Sequence, residues 1–168
     1  MFLFQTLVEY LRQIETRNAA YGDQPQPPAP PEQLATLAIQ SNENFQYKLP
    51  NHYLKILEVS DGVDFNGYKL YASKTRYIIK YDCYIEGFLE ANGLWEEYEE
   101  NTDHHLIMFG ETGDDLYLFD KRNQKFKITD KVGGDAYEEF ETFEELIERF
   151  FRNALGMFED EEDESATV

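Results

Sequence analysis

The order of apolar and polar residues over 49–72 predicts a helix, a stop and a hairpin in direct succession. Apolar residues recur there at helical spacing after a proline, whose missing N–H costs nothing in a first helical turn. Asp61 and Gly62 mark the predicted end of that helix. Beyond them apolar and acidic residues alternate up to Asn66 and Gly67, the dipeptide that best tolerates positive φ at both centres of a tight hairpin turn.

Two more helices, joined by a proline-rich segment, are predicted before this stretch. Apolar residues at steps of three and four over 4–14 predict an amphipathic helix that ends before Gly22 and packs on the domain. The segment 23–31 holds too many prolines for a helix or a central strand, so we expect a stiff connector; a proline-rich ligand for an aromatic groove is the alternative. A second short helix is predicted over 32–39, and the turn formers at 41–44 interrupt it.

The second half of the chain contains one apolar band and then several shorter apolar runs. The band over 77–89 has an ambiguous period, and its length favours a mostly helical interpretation with a stop at Asn92 and Gly93. From Leu106 onward, short apolar or alternating segments separated by glycine-rich and polar turns predict an antiparallel meander. These segments are 106–109, 116–120 and 125–129.

The last predicted helix completes an α+β pattern. Thr142 and Glu145 form a capping box at its start, and Gly156 is expected to close it in the left-handed conformation. Helices before and after a meander predict an α+β fold, with a largely antiparallel twisted sheet, helices packed on one side and an N-terminal helical extension. A length of 168 residues favours one such domain. The predicted organisation is an amphipathic helix within 1–22, the connector 23–31, an α+β domain over 32–156 and a disordered acidic tail over 157–168.

The charge of the chain bears on its partners. It has 34 acidic and 15 basic residues, which is a formal net charge of −19. Such a surface repels phosphate backbones and anionic lipid, so it argues against direct nucleic-acid binding and attracts a basic partner. Solubility alone is the alternative explanation of this charge. The tail after Met157 has no apolar periodicity, and its adjacent carboxylates repel one another, so we expect it to be solvated and disordered.

Neither a disulfide nor a membrane anchor is expected. Cys83 is the only cysteine, and no Cys or His spacing around it predicts a metal site. The first 17 residues lack a basic leader, and polar residues interrupt their apolar run, so they predict neither a signal peptide nor a membrane span. These features favour a reducing cytoplasm.

Two blocks of the sequence resemble the SUKH superfamily, which is named for yeast cell-wall-synthesis regulators and includes many bacterial immunity proteins. The first block is Leu49-Pro50 followed by Tyr53, Leu57 and Asp61-Gly62, and the second is the apolar strand before Phe109-Gly110, then Gly113-Asp114 and the run 116–120. The closing helix after Phe143 is similar to the C-terminal helix of the family, so the resemblance covers approximately residues 46–151.

The resemblance implies a cytoplasmic, non-enzymatic binding domain. In bacteria, such domains commonly neutralise a toxin delivered by neighbouring cells. The family has no shared catalytic residue to transfer to this chain. The two helices before residue 46, their proline connector and the region 77–101 depart from the family pattern, so the resemblance does not define the partner.

Asp103, His104 and His105 are the most suggestive local cluster for a metal site, because carboxylate and imidazole groups bind divalent ions. A functional site would need further ligands from other strands, and His52 is the only other histidine. Sequential residues on a regular element also cannot all face one ion. A surface turn is therefore the preferred interpretation, and no metal is expected.

Two other groups of residues leave alternatives open. Paired carboxylates such as Asp114-Asp115 allow a carboxylate-based hydrolase, although nothing in the sequence places two acids across a cleft. An aromatic band is expected to pack in the core, with a recognition surface as the alternative. The band comprises Tyr77, Tyr81, Tyr84, Phe88 and Trp95.

The resemblance, the negative charge and the missing catalytic set together predict an immunity-type or regulatory binding module. We expect no cofactor, no metal and no catalytic residue. The expected partner is a basic, toxin-like protein, and a housekeeping scaffold without a toxin is the alternative. Contacts are expected from two acidic loops, and the predicted partner-binding residues are Asp61, Asp64, Glu111, Asp114 and Asp115.

Overall fold

Helices and strands fill most of the chain that the computed structural model describes, which is residues 2–96 and 105–158. The helices are α1 (Phe2–Ala19), α2 (Pro31–Phe45), α3 (Asn51–Val59), α4 (Phe88–Glu96) and α5 (Phe143–Ala154). The strands are β1 (Val63–Phe65), β2 (Tyr68–Leu70), β3 (Arg76–Ile78), β4 (Cys83–Ile85), β5 (Leu106–Glu111), β6 (Asp115–Asp120), β7 (Lys125–Asp130) and β8 (Ala136–Phe140). None of these helices is both long enough and apolar enough to cross a membrane.

Six strands form one antiparallel sheet in the order β1-β2-β5-β6-β7-β8, and β3 pairs with β4 as a separate two-stranded sheet. The predicted meander is confirmed as β5, β6 and β7, and it continues into β8, which was not predicted. β8 lacks a clear apolar alternation because it is an edge strand with most of its side chains exposed. The α+β fold with a largely antiparallel sheet is confirmed.

The hairpin predicted within 49–72 is present as β1 and β2. Asn66 and Gly67 have φ values of 51° and 80°, so both turn centres are left-handed as the dipeptide predicts. The turn sets the register in which Val63 lies opposite Leu70. The hairpin thereby places β2 beside β5, with which it pairs in the main sheet.

The helices cover one face of the sheet around a cluster of aromatic rings. The ring centroid of Phe109 lies 5.0 Å from that of Phe143, 5.3 Å from Tyr53 and 5.9 Å from Phe88. Such pairs contribute about 0.5–1.5 kcal/mol each beyond their buried area. The hydroxyl of Tyr53 donates a hydrogen bond of 2.6 Å to the carbonyl of Tyr71, which ties α3 to the chain just after β2.

The first helix packs on the domain, as its apolar face predicts. Leu7, Leu11 and Ile14 of α1 are buried in the same core as the sheet. The connector after α1 is also fixed, because Ala29 is buried and its N–H donates to the carbonyl of Leu57 at 2.9 Å. The proline-rich segment is therefore part of the packed structure.

The helical interpretation of 77–89 is wrong. β3 and β4, joined by a short 3-10 helix at Ile79–Tyr81, form the part of this band up to Ile85, and α4 begins only at Phe88. Asp82 reverses the chain in the left-handed conformation with φ 49°. Aromatic and β-branched residues favour such paired strands, and Tyr77 stacks on Tyr84 across the pair with centroids 5.0 Å apart.

Two predicted helix ends are also wrong. α2 continues past the expected stop to Phe45, because Phe45 fills the core and the buried hydroxyl of Ser41 donates to the carbonyl of Tyr47 at 3.0 Å. α4 continues through Asn92 and Gly93, because the Asn92 side chain is buried and bonded inside the fold. In both helices tertiary contacts override local turn preferences.

The predicted capping box of the last helix is confirmed. The N–H of Glu145 donates to Thr142 Oγ1 at 3.3 Å, and α5 starts at Phe143. The Glu145 carboxylate reaches back to the N–H of Glu141 at 3.0 Å. Gly156 follows the helix with φ 71°, as expected.

A β-bulge in β5 brings the sheet into contact with the aromatic cluster. Met108 lies opposite Leu118 and Gly110 lies opposite Tyr117, so Phe109 is an extra residue and its ring joins the core. Gly110 passes close to β2, where an added Cβ would overlap the carbonyl oxygen of Lys69. This position therefore requires glycine.

Substitution of Gly110 by alanine should lower the free energy of unfolding by about 3 kcal/mol, because the backbones of β2 and β5 would have to separate. The matched control is Gly113→Ala, since an added Cβ there meets nothing within 4 Å. That control should change stability by less than about 0.5 kcal/mol. Urea unfolding of both variants tests the prediction, and equal midpoints would contradict it.

Candidate functional site

The face of the sheet opposite α3 and α5 carries a cavity of about 1240 Å³, which we call the outer-face cavity. Successive side chains of a strand point to opposite faces, so alternate residues of β5 and β6 reach it. Met108, Leu116 and Leu118 form an apolar floor, and all three are buried. Their neighbours Tyr117 and Phe119 instead stack on rings of the helical side.

One wall of the cavity is α4, which a single side chain attaches to β5. Asn92 Nδ2 donates to the carbonyl of Met108 at 2.9 Å, and the Met108 N–H donates to Asn92 Oδ1 at 2.8 Å. At Met108 the Asn92 side-chain amide makes the backbone hydrogen bonds that a neighbouring strand would otherwise make. β2 pairs with β5 only further along, at Gly110 and Glu111. Leu94 and Trp95 of α4 then line the cavity.

A first polar group in the cavity is built around Tyr71. Side-chain hydrogen bonds join its hydroxyl to Trp95 and Glu111, and Lys131 Nζ lies 3.0 Å from Glu111 Oε2. Burial, reinforced by the charge of Glu111, holds the pKa of Tyr71 well above its ordinary value. The Tyr71 hydroxyl therefore keeps its proton and serves as a donor.

A second polar group is centred on Lys127. Its Nζ lies 3.1 Å from Asp120 Oδ2 and 3.6 Å from Glu139 Oε1, and its side chain is 13% exposed. Two carboxylates thus hold one largely buried ammonium group on the outer face. Both lysines that line the cavity are engaged by carboxylates.

Three of the five predicted partner-binding residues lie together at the turn between β5 and β6. These are Glu111, Asp114 and Asp115, and Glu111 lines the cavity. Asp130, which also lines the cavity, is opposite Asp115 in the register of β6 and β7. Burial raises the pKa of Asp115, and the charges of Asp114 and Asp130 raise it further.

Asp64 lies on the same face as this turn. It is opposite Lys69 of β2, and Lys69 is opposite Glu111 of β5. Residues that are directly opposite share a face, so the three side chains form a row with the lysine between the two acids. Of the five predicted acids, Asp64 and Glu111 thus share the outer face, and Asp114 lies in the adjoining β5–β6 turn. Asp115 alternates with Leu116 of the cavity floor, so its side chain is directed toward the other face.

Asp61, the fifth predicted residue, is buried and holds the fold together. Its carboxylate accepts hydrogen bonds from the N–H and Oγ of Ser73 at 2.7 and 2.9 Å, and Arg76 Nη1 lies 2.7 Å from Oδ2. Its own N–H donates to the carbonyl of Pro27 at 2.9 Å. Asp61 therefore joins the end of α3, the connector and the base of β3, and it does not face a partner.

The described histidines do not converge. His52 Nδ1 lies 2.5 Å from Glu144 Oε1 on the helical side, whereas His105 lines the outer-face cavity. Asp103 and His104 of the suggestive triplet lie outside the described residues. Within 2–96 and 105–158, no group of three or more His, Cys, Asp or Glu side chains is placed to hold a metal ion.

The aromatic band is divided between core and surface. Phe88 is fully buried, and Trp95 is half-buried beside the cavity. Tyr77, Tyr81 and Tyr84 are each about half exposed. Core packing, the expected outcome for this band, is thus correct for Phe88 and wrong for these three tyrosines.

Comparison with known proteins yields no relative for this chain. No family model, no curated protein and no solved structure matches it. The resemblance to the SUKH superfamily stays a prediction, and the function has to be argued from the site.

Several cavity residues were not singled out from the sequence, among them Tyr71 and Lys131, whereas Trp95 was predicted only as a member of the aromatic band. One available signal was the continuous apolar run 106–109, which predicts a strand covered on both faces. Since the helices account for one face, the other face needed a second set of covering residues. The alternation of Lys127 with buried neighbours also placed that lysine on the outer face.

Substitution of Asp61 by asparagine should lower the free energy of unfolding by about 3 kcal/mol, because the half-buried Arg76 guanidinium would lose the buried carboxylate that is its counter-charge. The matched control is Asp64→Asn, a half-buried acid on a strand surface, which should cost less than about 1 kcal/mol. Chemical denaturation measures both. A smaller loss for Asp61→Asn than for Asp64→Asn would refute the structural role.

Substitution of Asp115 by asparagine should stabilise the protein at neutral pH. A carboxyl whose folded pKa is raised binds protons more tightly in the folded state, so stability falls as pH rises from its unfolded to its folded pKa. The variant has no carboxyl at this position, so it does not lose stability in this way as pH rises. Its gain in stability over wild type should vanish at about pH 3, where the Asp115 carboxyl of wild type is protonated in both the folded and the unfolded state. Denaturation at the two pH values tests this, and an advantage that grows on acidification would contradict it.

Proposed function

We propose that this chain is a SUKH-like binding module that captures a basic protein partner at its outer-face cavity and thereby neutralises a toxin. The observation that carries the proposal is the cavity itself, in which charged side chains surround an apolar floor on the face of the sheet away from α3 and α5. An apolar centre with a polar rim is the usual anatomy of a protein interface. A cytoplasmic location is part of the proposal and rests on the resemblance.

The contacts inside the cavity favour binding over chemistry. A catalytic acid or base needs a pKa near the working pH and freedom to exchange its proton with a substrate. The pKa of Tyr71 lies well above that range, Glu111 is engaged by Lys131, and Lys127 lies between two carboxylates. These groups orient one another and can accept or donate hydrogen bonds at a rim.

The charge of the chain supports a basic partner. Among the residues that line the cavity, Glu111 and Asp130 place carboxylates at the ends of β5 and β7. Ten of the 34 acidic residues fall in 97–104 and 159–168, which contain no lysine or arginine. Acids still outnumber bases in the rest of the chain, so the field that steers a basic protein toward it does not depend on those two segments.

Substitution of Leu94 by arginine should weaken the partner complex by about 10- to 100-fold, because it removes an apolar contact at the cavity wall and adds a like charge against a basic partner. Leu94 is 60% exposed, so the fold should tolerate the change. The matched control is Ile39→Arg, because Ile39 is 59% exposed on α2 and does not line the cavity. The measurement is isothermal calorimetry with the product of a toxin gene that adjoins the gene for this chain, and a gene neighbourhood without a toxin would count against the proposal.

The same pair of variants tests neutralisation in cells that express the toxin. Wild type and Ile39→Arg should restore growth, and Leu94→Arg should not. Affinity should also fall between low and high salt, because steering between exposed charges is screened. Equal loss in both variants would refute the cavity as the site, and binding without restored growth would indicate a regulatory scaffold instead of an immunity protein.

A further inference from the structure

A hairpin outside the main sheet exposes an unusual concentration of large side chains. We call residues 76–85, which comprise β3, the 3-10 helix and β4, the tyrosine hairpin. Ile79 is 84% exposed, and Tyr77, Tyr81 and Tyr84 are 47%, 52% and 55% exposed. None of these residues lines the outer-face cavity, so the hairpin is a separate surface.

The hairpin is fixed at its base. The guanidinium of Arg76 pairs with the buried Asp61 and donates to Gln26 Oε1 at 2.6 Å. Lys80 Nζ lies 2.7 Å from Asp23 Oδ1 and 3.1 Å from the carbonyl of Gly22. These bonds tie the hairpin to the segment after α1, so its exposed rings belong to a preorganised surface, which lowers the entropic cost of association.

The area of this surface is large enough for an interface. Tyr21 is 82% exposed, and the Lys80 contacts to Gly22 and Asp23 place it beside the hairpin. With about 200 Å² for a fully exposed ring, the five exposed side chains offer on the order of 600 Å². A standard interface buries about 800 Å² per partner, and a patch of about 600 Å² is at the upper end for a monomer.

The hairpin also has free strand edges. Within the part of the chain that the structure describes, β3 and β4 pair only with each other. Exposed edges of a short aromatic sheet are templates for pairing with another chain unless they are blocked. Neither strand contains a proline that would block the edge.

Local charge identifies the occupant. The stretch 74–85 contains Lys74, Arg76 and Lys80 but only one acid, Asp82, in a chain with a net charge of −19. Arg76 and Lys80 are paired with Asp61 and Asp23, so this surface has little net charge. It offers no excess of carboxylates to attract a basic partner, whereas two copies of this acidic chain can meet here without the repulsion between carboxylates that opposes contact elsewhere. We propose that two copies of this chain associate through their tyrosine hairpins about a two-fold axis, each burying the exposed rings of the other.

Sedimentation equilibrium of the full chain tests the proposal, and the expected result is a concentration-dependent dimer. Its dissociation constant should decrease as salt rises, because salt screens the repulsion between two chains of charge −19. A monomer at every concentration up to a few hundred micromolar, in both low and high salt, would overturn the proposal.

Paired substitutions locate the interface. The double variant Ile79→Asp with Tyr84→Asp should raise the dissociation constant by roughly 100-fold or more, since it removes two buried apolar anchors. The control Ile39→Asp, at a position of 59% exposure on α2, should leave the dimer unchanged. Circular dichroism and thermal unfolding verify that both variants fold. A dimer that persists in the double variant would show that the hairpin is not the interface.

Strand alternation supplies an independent readout. Tyr84 is on the exposed face of the hairpin, whereas Cys83 is on the opposite face with the buried Ile85. The variant Tyr84→Cys with Cys83→Ser should therefore be linked by a short bis-maleimide into a covalent dimer, and Cys83→Ser alone should give none. A dimeric sample of the Tyr84→Cys variant that resists this cross-link would overturn the proposed geometry. Partner binding by the Ile79→Asp, Tyr84→Asp variant should equal that of wild type, which separates this test from that of the outer-face cavity.

Discussion

The packing of Phe109 is the contact on which the rest of the structure depends. The bulge in β5 turns this extra residue into the helical side, where rings from α3, α4, β7 and α5 lie around it. The bulge is possible because Gly110, the next residue, lets β5 pass close to the backbone of β2. Phe109 and Gly110 therefore fix where the helices pack on the sheet. The opposite face of β5 and β6 is the one that carries the cavity.

The fold could be predicted where local and tertiary preferences agree. The hairpin at Asn66 and Gly67 was predicted correctly, because the turn preference of this dipeptide and the alternation of the flanking residues favour the same structure. The same agreement holds for Thr142 and Glu145 at the start of α5. The prediction failed where buried polar groups decide the outcome. Asn92 suggests a helix end by its local preference, but its amide pairs with β5, so the helix continues. Length alone could not separate a helix from two strands in the band 77–89, since the deciding feature is the left-handed Asp82.

The site was less predictable than the fold. An excess of acids indicates the sign of a partner, but it does not show which acids are exposed. Asp61 and Glu111 look alike as residues of acidic loops, yet the first is buried as the counter-ion of Arg76 and the second contributes to the cavity. Both acids follow apolar segments and precede turns, so their sequence contexts are alike. Only the residues that each acid contacts in the folded structure distinguish the two roles. The roles of Lys127 and Lys131 could not be predicted from the sequence either. Each lysine is held in the cavity by a carboxylate that another strand or turn supplies.

The attachment of α4 has a consequence for how the cavity can change shape. Asn92 donates one hydrogen bond and accepts another at the same residue of β5, so only an amide satisfies both backbone groups. A carboxylate of the same shape would place oxygen against the Met108 carbonyl with no hydrogen between them. Sliding of the helix along the strand would also break both bonds at once. The Asn92 amide therefore fixes the position of α4 along β5, and with it the position of the cavity wall that carries Leu94 and Trp95.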